Sequence, residues 1–474
     1  MGSKKYASLS RRRVLKAAGT AVAGGASVLL GTPPAAARQR APAVITNTQA
    51  GRRYRAFVKF SAEAPTLVDL TARALTGRQV LIRTEAAQTC YSSVRQILLS
   101  ARQDDDLFRG GSGNTAPPVR AAVVGHGGVG VVEAIGPQVV SCQVGDRVIG
   151  ILHSACGRCH NCLWSRSDQC LSRGAEFAGP VADMPGGQQV FSSSSGMAEL
   201  MVINEETAIP VFTDVPSTEL SMLTCVGGAG LGMATTNIPV QIGSDVVIFG
   251  AGPVGLSALQ ATKLKGAAKI IVVEPIAYRR ELALTLGATH VLDPNQYKRT
   301  PRARPPRGFG RDDARYDDTL LDHIRDLVKL KTDRVWAGGG RVGPEHVLEA
   351  AGGDQMVPKE VQGPDPTGIT TLMQSWELCS RAGSAVSCTI GQPENAFVQI
   401  PGTQFGDSAK HWWSCTAGGT NDRRDLPRWI KLMEAGKLNM KALVSKTYPL
   451  SETKQAYQDA ADRTVVATVV TPTT

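Results

Sequence analysis

The sequence predicts an α/β protein whose first half is β-rich and whose second half is a doubly wound parallel sheet. Three observations carry this. Apolar runs at Arg55–Phe60, Val80–Thr84, Ala121–Val132 and Asp146–Ile151 are punctuated by Gly and Pro and show little helical spacing. From Asp245 the pattern becomes strand, Gly-rich turn, helix, strand, at Val246–Phe249, Val254–Lys265 and Lys269–Val273. The composition, 474 residues with 42% hydrophobic, 20% charged and 50 Gly, affords a sizeable core in two or three domains. It excludes disordered, collagen-like and small disulfide-rich classes.

The chain opens on residues 1–37, which hold Lys4, Lys5, Arg11, Arg12, Arg13 and Lys16 and no acid. Ser10-Arg11-Arg12-Arg13-Val14-Leu15-Lys16 resembles the twin-arginine export motif, with Val14 where Phe is commoner. A mildly apolar stretch, Ala17–Leu30, and the small residues Ala35–Ala37 follow in the order a cleavable signal needs. The stretch is shorter than the roughly 20 residues that span a bilayer. An amphipathic N-terminal helix of a cytoplasmic protein is the weaker alternative, because it leaves the order of the three features unexplained. The expectation is a protein exported by the twin-arginine route, periplasmic or extracellular, with no membrane span. That route is used by proteins that fold and load their cofactor before crossing.

Ten cysteines in an exported chain suggest disulfides, yet four lie at Cys156-x2-Cys159-x2-Cys162-x7-Cys170. Four thiolates on one short loop satisfy tetrahedral zinc with no position left for a substrate, which describes a structural site. Two local disulfides are the alternative, disfavoured because neighbouring Cys-x-x-Cys pairs make strained bridges. Cys142, Cys379, Cys388 and Cys415 read as buried thiols, with a disulfide among them left open.

This lobe, following Val144-Gly145-Asp146-Arg147-Val148, resembles the structural zinc loop of the zinc-dependent medium-chain alcohol dehydrogenases. The resemblance extends from Ile45 to Pro472. Gln88-Thr89-Cys90-Tyr91-Ser92 stands where that family has its first catalytic zinc ligand, Gly125-His126 where it has its Gly-His-Glu motif, and Leu223-Thr224-Cys225-Val226-Gly227-Gly228 where it has the third ligand. The resemblance implies a catalytic zinc held by Cys90, His126 and Cys225, with Ser92 relaying a proton. Two thiolates and an imidazole leave the fourth position for water or an alcohol oxygen. It also implies a GroES-like catalytic domain over residues 43–233 and 425–474, and a Rossmann NAD-binding domain over 234–424. A homodimer or homotetramer is the corresponding assembly. The sequence departs from the pattern at Gly127 and Ser93, where the family has acids behind the zinc ligands, and at Arg95, where many members have a relay His.

Gly250-Ala251-Gly252-Pro253-Val254-Gly255 is a G-x-G-x-x-G pattern at a strand-to-helix junction, with Glu274 ending the next strand. The glycines let the backbone approach a pyrophosphate at the helix N-terminus. Glu274 is placed to accept from both ribose hydroxyls and to repel a 2′-phosphate, which favours NAD over NADP; Arg279 and Arg280 temper that preference. A plain tight turn is the alternative for the motif alone. By resemblance, Ala351 in Leu348-Glu349-Ala350-Ala351-Gly352 and Ile390 in Ser387-Cys388-Thr389-Ile390-Gly391 flank the nicotinamide, and Arg463 contacts the pyrophosphate.

Residues 294–344 read as an insertion, and Lys298–Arg307 is too Pro-rich for a helix or an interior strand. The chain's net charge of +11 sits almost wholly on this insertion and on residues 1–37, over a balanced body, so nucleic acid is not an expected partner. A solvated loop is the favoured reading of the insertion, docking on a phosphate, cofactor or partner the other. The combined expectation is an oxidoreductase moving hydride between an alcohol or aldehyde and NAD(H), with one catalytic and one structural Zn²⁺. Because free NAD is scarce outside the cytoplasmic membrane, the cofactor is expected to stay bound, as in nicotinoprotein members, with an external electron acceptor or second substrate recycling it. An aldehyde dismutase, and a catalytically inactive zinc-containing binding protein, are the competing expectations.

Overall fold

The computed structural model describes residues 49–100, 120–153, 155–172, 179–191, 195–301, 316–329, 342–354, 356, 365, 368–388, 397–400 and 402–473. Residues 1–37, where an export signal is expected, Ile390 and Arg302–Arg315 of the insertion lie outside the described residues.

The first half is β-structure in two layers. Arg53–Lys59, Thr66–Ala72, Pro180–Asp183, Gln189–Phe191 and Ala121–Val123 close into a small barrel. Beside it runs a larger sheet centred on the ten-residue strand Gln79–Gln88, which pairs antiparallel with Gly128–Ile135 and with Leu200–Asn204. Alternation decides the placement: Leu81 joins the barrel's core cluster, whereas Val80 and Ile82 pack on the opposite side with Val132, Val148 and Met201.

The second half is a six-stranded parallel sheet in the order His290–Leu292, Lys269–Val273, Asp245–Phe249, His346–Glu349, Ser384–Ser387, His411–Ser414. The near-continuous apolar runs of its strands follow from burial on both faces. Val246 and Ile248 lie in one core cluster, Val247 and Phe249 in another. The Gly-rich turn leads from Asp245–Phe249 into the helix Pro253–Leu264, which opens on Pro253 because proline has no N–H to leave unpaired there. The chain then returns through the helix Asp422–Glu434, and Val444–Pro449 and Ala467–Thr471 join the first half's larger sheet.

Within the insertion, Arg299–Pro301 is a short strand, paired antiparallel with Tyr316–Asp318 in an isolated two-stranded ribbon. Pro301 is compatible with pairing there because a ribbon of two strands consists only of edges. The helix Thr319–Val328 follows, capped by the Asp318 carboxylate, which accepts from Leu320 N (3.1 Å) and Leu321 N (3.3 Å).

Candidate active site and metal centres

Three separate elements bring Cys90, His126 and Cys225 together. Cys90 follows the long strand, and its neighbour Thr89 is tied to the C-terminal strand by a 2.8 Å hydroxyl contact with Thr468. His126 sits in a tight connection between Gly125 (φ 83°) and Gly127 (φ 76°), left-handed conformations that glycine adopts without strain. Cys225 caps the glycine-rich helix Val226–Gly232.

The three ligand atoms lie within 4.8 Å of one another, and the two sulfurs are 4.0 Å apart. Zinc with bonds of about 2.3 Å in tetrahedral geometry sets two sulfurs roughly 3.8 Å apart. His126 Nε2 is buried with no hydrogen-bond partner, which is the state of an imidazole aimed at a metal. The donor set therefore fits a zinc ion. Ser92 Oγ lies 3.1 Å from Cys90 Sγ. A hydrogen bond from Cys225 and the charge of His126 hold the Cys90 thiol far below its ordinary range, and Cys225 is correspondingly raised.

The departure at residue 127 has a steric cause. A Cβ there would collide with Oγ1 and Cβ of Thr224, the residue before the third ligand. Thr224 therefore fills the space an acidic side chain would need. Ser93 is buried, and Arg95 is buried within the helix Val94–Leu98.

Cys156, Cys159, Cys162 and Cys170 also converge within 4.8 Å. Backbone amides aim at the sulfurs: Cys159 N donates to Cys156 Sγ (3.3 Å), Cys156 N to Cys170 Sγ (3.4 Å) and Leu171 N to Cys159 Sγ (3.5 Å). The Arg158 amide is the main reason the Cys156 thiol is held down to about 6, while burial pushes Cys162 up to about 12. The lobe docks on the nucleotide-binding half through Ser167 Oγ to Thr420 O (3.0 Å) and Gln169 Nε2 to Thr416 Oγ1 (2.9 Å).

At the Gly-rich turn, Gly250 (φ 90°) passes so close to Ala350 and Ala351 that a Cβ would meet them at 2.9 Å. Gly255 packs against the Gly250 carbonyl, whereas nothing lies within 4 Å of a Cβ on Gly252, so that position is open for a ligand. Pro253 and Val254 form the first helical turn, and Gly230 of the helix after Cys225 packs on the Val254 carbonyl. Glu274 is buried at the end of Lys269–Val273, where its carboxylate accepts from Ala251 N (2.6 Å) and Ile276 N (3.0 Å). It thus braces the Gly-rich turn from below.

The two arginines bind the halves together. Arg279 donates to Val465 O (2.7 Å) and Tyr278 Oη (3.0 Å). Arg463, with φ 59°, pairs with the Asp354 carboxylate and lies over the Tyr91 ring at 5.4 Å. Tyr91 separates Cys90 from Ser92, so this ion pair reaches the relay segment itself.

The sequence reading had no role for Glu349. Its fully buried carboxylate accepts from Ala351 N (3.0 Å), Gly352 N (2.9 Å), Thr371 Oγ1 (3.0 Å) and Ser387 Oγ (3.0 Å), which fixes the strand ends beside the Gly-rich turn. An acid ending an apolar strand next to Gly352 is the signal that could have found it.

Residues 76–213 match the model of the alcohol dehydrogenase GroES-like domain, and residues 253–309 that of zinc-binding dehydrogenases. A geraniol dehydrogenase from Castellaniella defragrans is 36% identical over 229 residues, covering 46% of this chain and 57% of that protein. The match thus spans little more than half the relative's length. An NDMA-dependent alcohol dehydrogenase from Amycolatopsis methanolica is 26% identical over 401 residues, 81% of this chain and 89% of that one. The crystal structure of benzyl alcohol dehydrogenase from Acinetobacter calcoaceticus superposes with a TM-score of 0.67 at 25% identity, covering 89% and 99% of the two chains. The fold and the two domain matches are thus similar to those of zinc-binding alcohol dehydrogenases.

Proposed function

We propose that this protein is a zinc-dependent alcohol or aldehyde oxidoreductase that uses NAD(H). The observation that carries the reading is the convergence of Cys90, His126 and Cys225 within 4.8 Å, with His126 Nε2 buried and partnerless and Ser92 Oγ alongside. When bound there, zinc supplies the Lewis acidity that makes an alcohol proton easier to remove. Ser92 Oγ takes that proton and passes it outward, and Tyr91 holds Ser92 in register through its contact with Arg463. Gly250, Gly252 and the first turn of Pro253–Leu264 receive the pyrophosphate, and Glu274 prefers a ribose without a 2′-phosphate. The lobe of Cys156, Cys159, Cys162 and Cys170 holds a second, structural zinc. Ala351 and Arg463 complete the cofactor's surroundings.

Export by the twin-arginine route, retention of NAD and recycling by an external acceptor belong to the same proposal. The relative named NDMA-dependent supports recycling by an added compound. The test is made on mature protein purified without added nucleotide. The expected results are two zinc ions per chain, NAD released on denaturation and an alcohol-dependent absorbance change at about 340 nm. Geraniol and benzyl alcohol, named in two similar proteins, are the first alcohols to assay. One zinc per chain and no spectral change would instead support a binding protein. Equal yields of alcohol and acid from an aldehyde, without acceptor, would support dismutation.

A further inference from the structure

Two cysteines that the zinc chemistry does not use, Cys388 and Cys415, meet at the carboxyl end of the parallel sheet. The register is explicit: Ser384 pairs with His411, Ala385 with Trp412, Val386 with Trp413 and Ser387 with Ser414. One step further sets Cys388 opposite Cys415, and Cys415 N donates to Ser387 O at 3.2 Å. Residues at matched register point to the same face, and Val386, Cys388 and Cys415 share one core cluster, while Ala385 and Trp412 belong to the opposite one. Neighbouring strands lie about 4.8 Å apart, inside the roughly 4.4–6.8 Å between Cα atoms that a disulfide spans. Both side chains are about nine-tenths buried.

The pair lies near the helix Val226–Gly232, with the Gly418 turn between. Gly418 N donates to Cys388 Sγ at 2.9 Å, and the Cys415 thiol reaches Ser387 O at 3.6 Å. Gly418 belongs to the turn Ala417–Gly419, which leaves no room for a side chain between itself and Ala229 or Gly232 of the helix that Cys225 caps. A change at Cys388 Sγ therefore bears on the Gly418 turn, which packs on the helix that Cys225 caps.

We propose that Cys388 and Cys415 form a reversible disulfide that tunes the position of Cys225. With a low-molecular-weight disulfide such as oxidised glutathione, one protein thiolate attacks a glutathione sulfur. The second cysteine then displaces the remaining glutathione from the mixed disulfide. Two protein S–H bonds and one glutathione S–S bond are lost, and one protein S–S bond and two glutathione S–H bonds form. Two electrons pass from the cysteines to the glutathione disulfide.

The experiment equilibrates the full-length zinc-loaded protein in glutathione buffers from reducing to oxidising. Samples are acid-quenched, denatured and alkylated without reductant, then mapped by mass spectrometry, with turnover measured in parallel. The expected result is joint loss of alkylation at Cys388 and Cys415, a peptide cross-linked between them, and a turnover change of at least about twofold that dithiothreitol reverses. Cys415→Ser should abolish that redox dependence, and if this variant misfolds the peptide map of the unaltered chain still decides. Both cysteines alkylated in the most oxidising buffer, a cross-link from either to Cys225, or a Cys388–Cys415 cross-link with unchanged turnover would each overturn the proposal.

Discussion

In the lobe, four sulfurs come from the fifteen positions between Cys156 and Cys170, and their own backbone amides orient them. At the other centre, the ligands come from positions 90, 126 and 225, carried by a strand end, a glycine-flanked turn and a helix cap. The first cluster needs only a short loop to close, so its entropy cost is small and its geometry is nearly a local property. The second exists only while two sheets and a buried helix are packed together. Around a zinc ion, four thiolates would close the lobe's site, whereas three ligands would leave the trio one open position. Local assembly suits a permanent staple, whereas the dispersed trio forms only once distant elements of the chain are packed together.

That contrast can be broken most decisively at the dispersed centre. Cys225→Ser or His126→Ala should leave the lobe's zinc in place and cut alcohol oxidation about a thousandfold or more, because Lewis-acid stabilisation is worth several kcal/mol. Zinc per chain and turnover, measured together, check this. A chelator series on the unaltered protein should remove the open site's ion and the activity before the lobe's ion.

Removing a ligand from the closed cluster, as in Cys159→Ser, should act on folding first. The expected loss is about 3 kcal/mol, seen as a lower Tm, with a smaller fall in activity because Ser167 and Gln169 dock the lobe on the segment that carries Thr416 and Thr420. Equal losses of activity in this variant and in Cys225→Ser would dissolve the distinction between the two centres.

A finer test places an acid directly behind the histidine. Gly127→Glu should destabilise by about 2 kcal/mol or more, since the left-handed backbone is strained for any other residue and Thr224 fills the space. Adding Thr224→Gly should recover part of the stability in a denaturant titration. The smallest effect is expected at Glu274, where Gln keeps the shape but can accept from only one of the Ala251 and Ile276 amides and turns its NH2 toward the other, raising the Kd for NAD about tenfold. Calorimetric titration of protein stripped of bound nucleotide with NAD and NADP would show whether the preference narrows as well.

Spacing alone gave Cys156, Cys159, Cys162 and Cys170, and the strand-turn-helix pattern gave the Gly-rich turn, because both are written within about twenty residues of chain. Cys90, His126 and Cys225 were legible only through resemblance, since no local pattern links positions so far apart. The ribbon strand Arg299–Pro301 escaped the sequence reading because its partner is Tyr316–Asp318, across residues that carry no strand signal.

By itself the sequence determined the two-part α/β organisation, the lobe and the nucleotide turn, because hydrophobic period, glycine placement and ligand spacing are properties of short segments. Tertiary structure alone decided that Thr224 excludes a side chain at Gly127, that Glu349 holds four donors, and that Cys388 stands opposite Cys415. Each of these depends on strand register or on the meeting of distant backbones, and only packing of the whole chain fixes such relations.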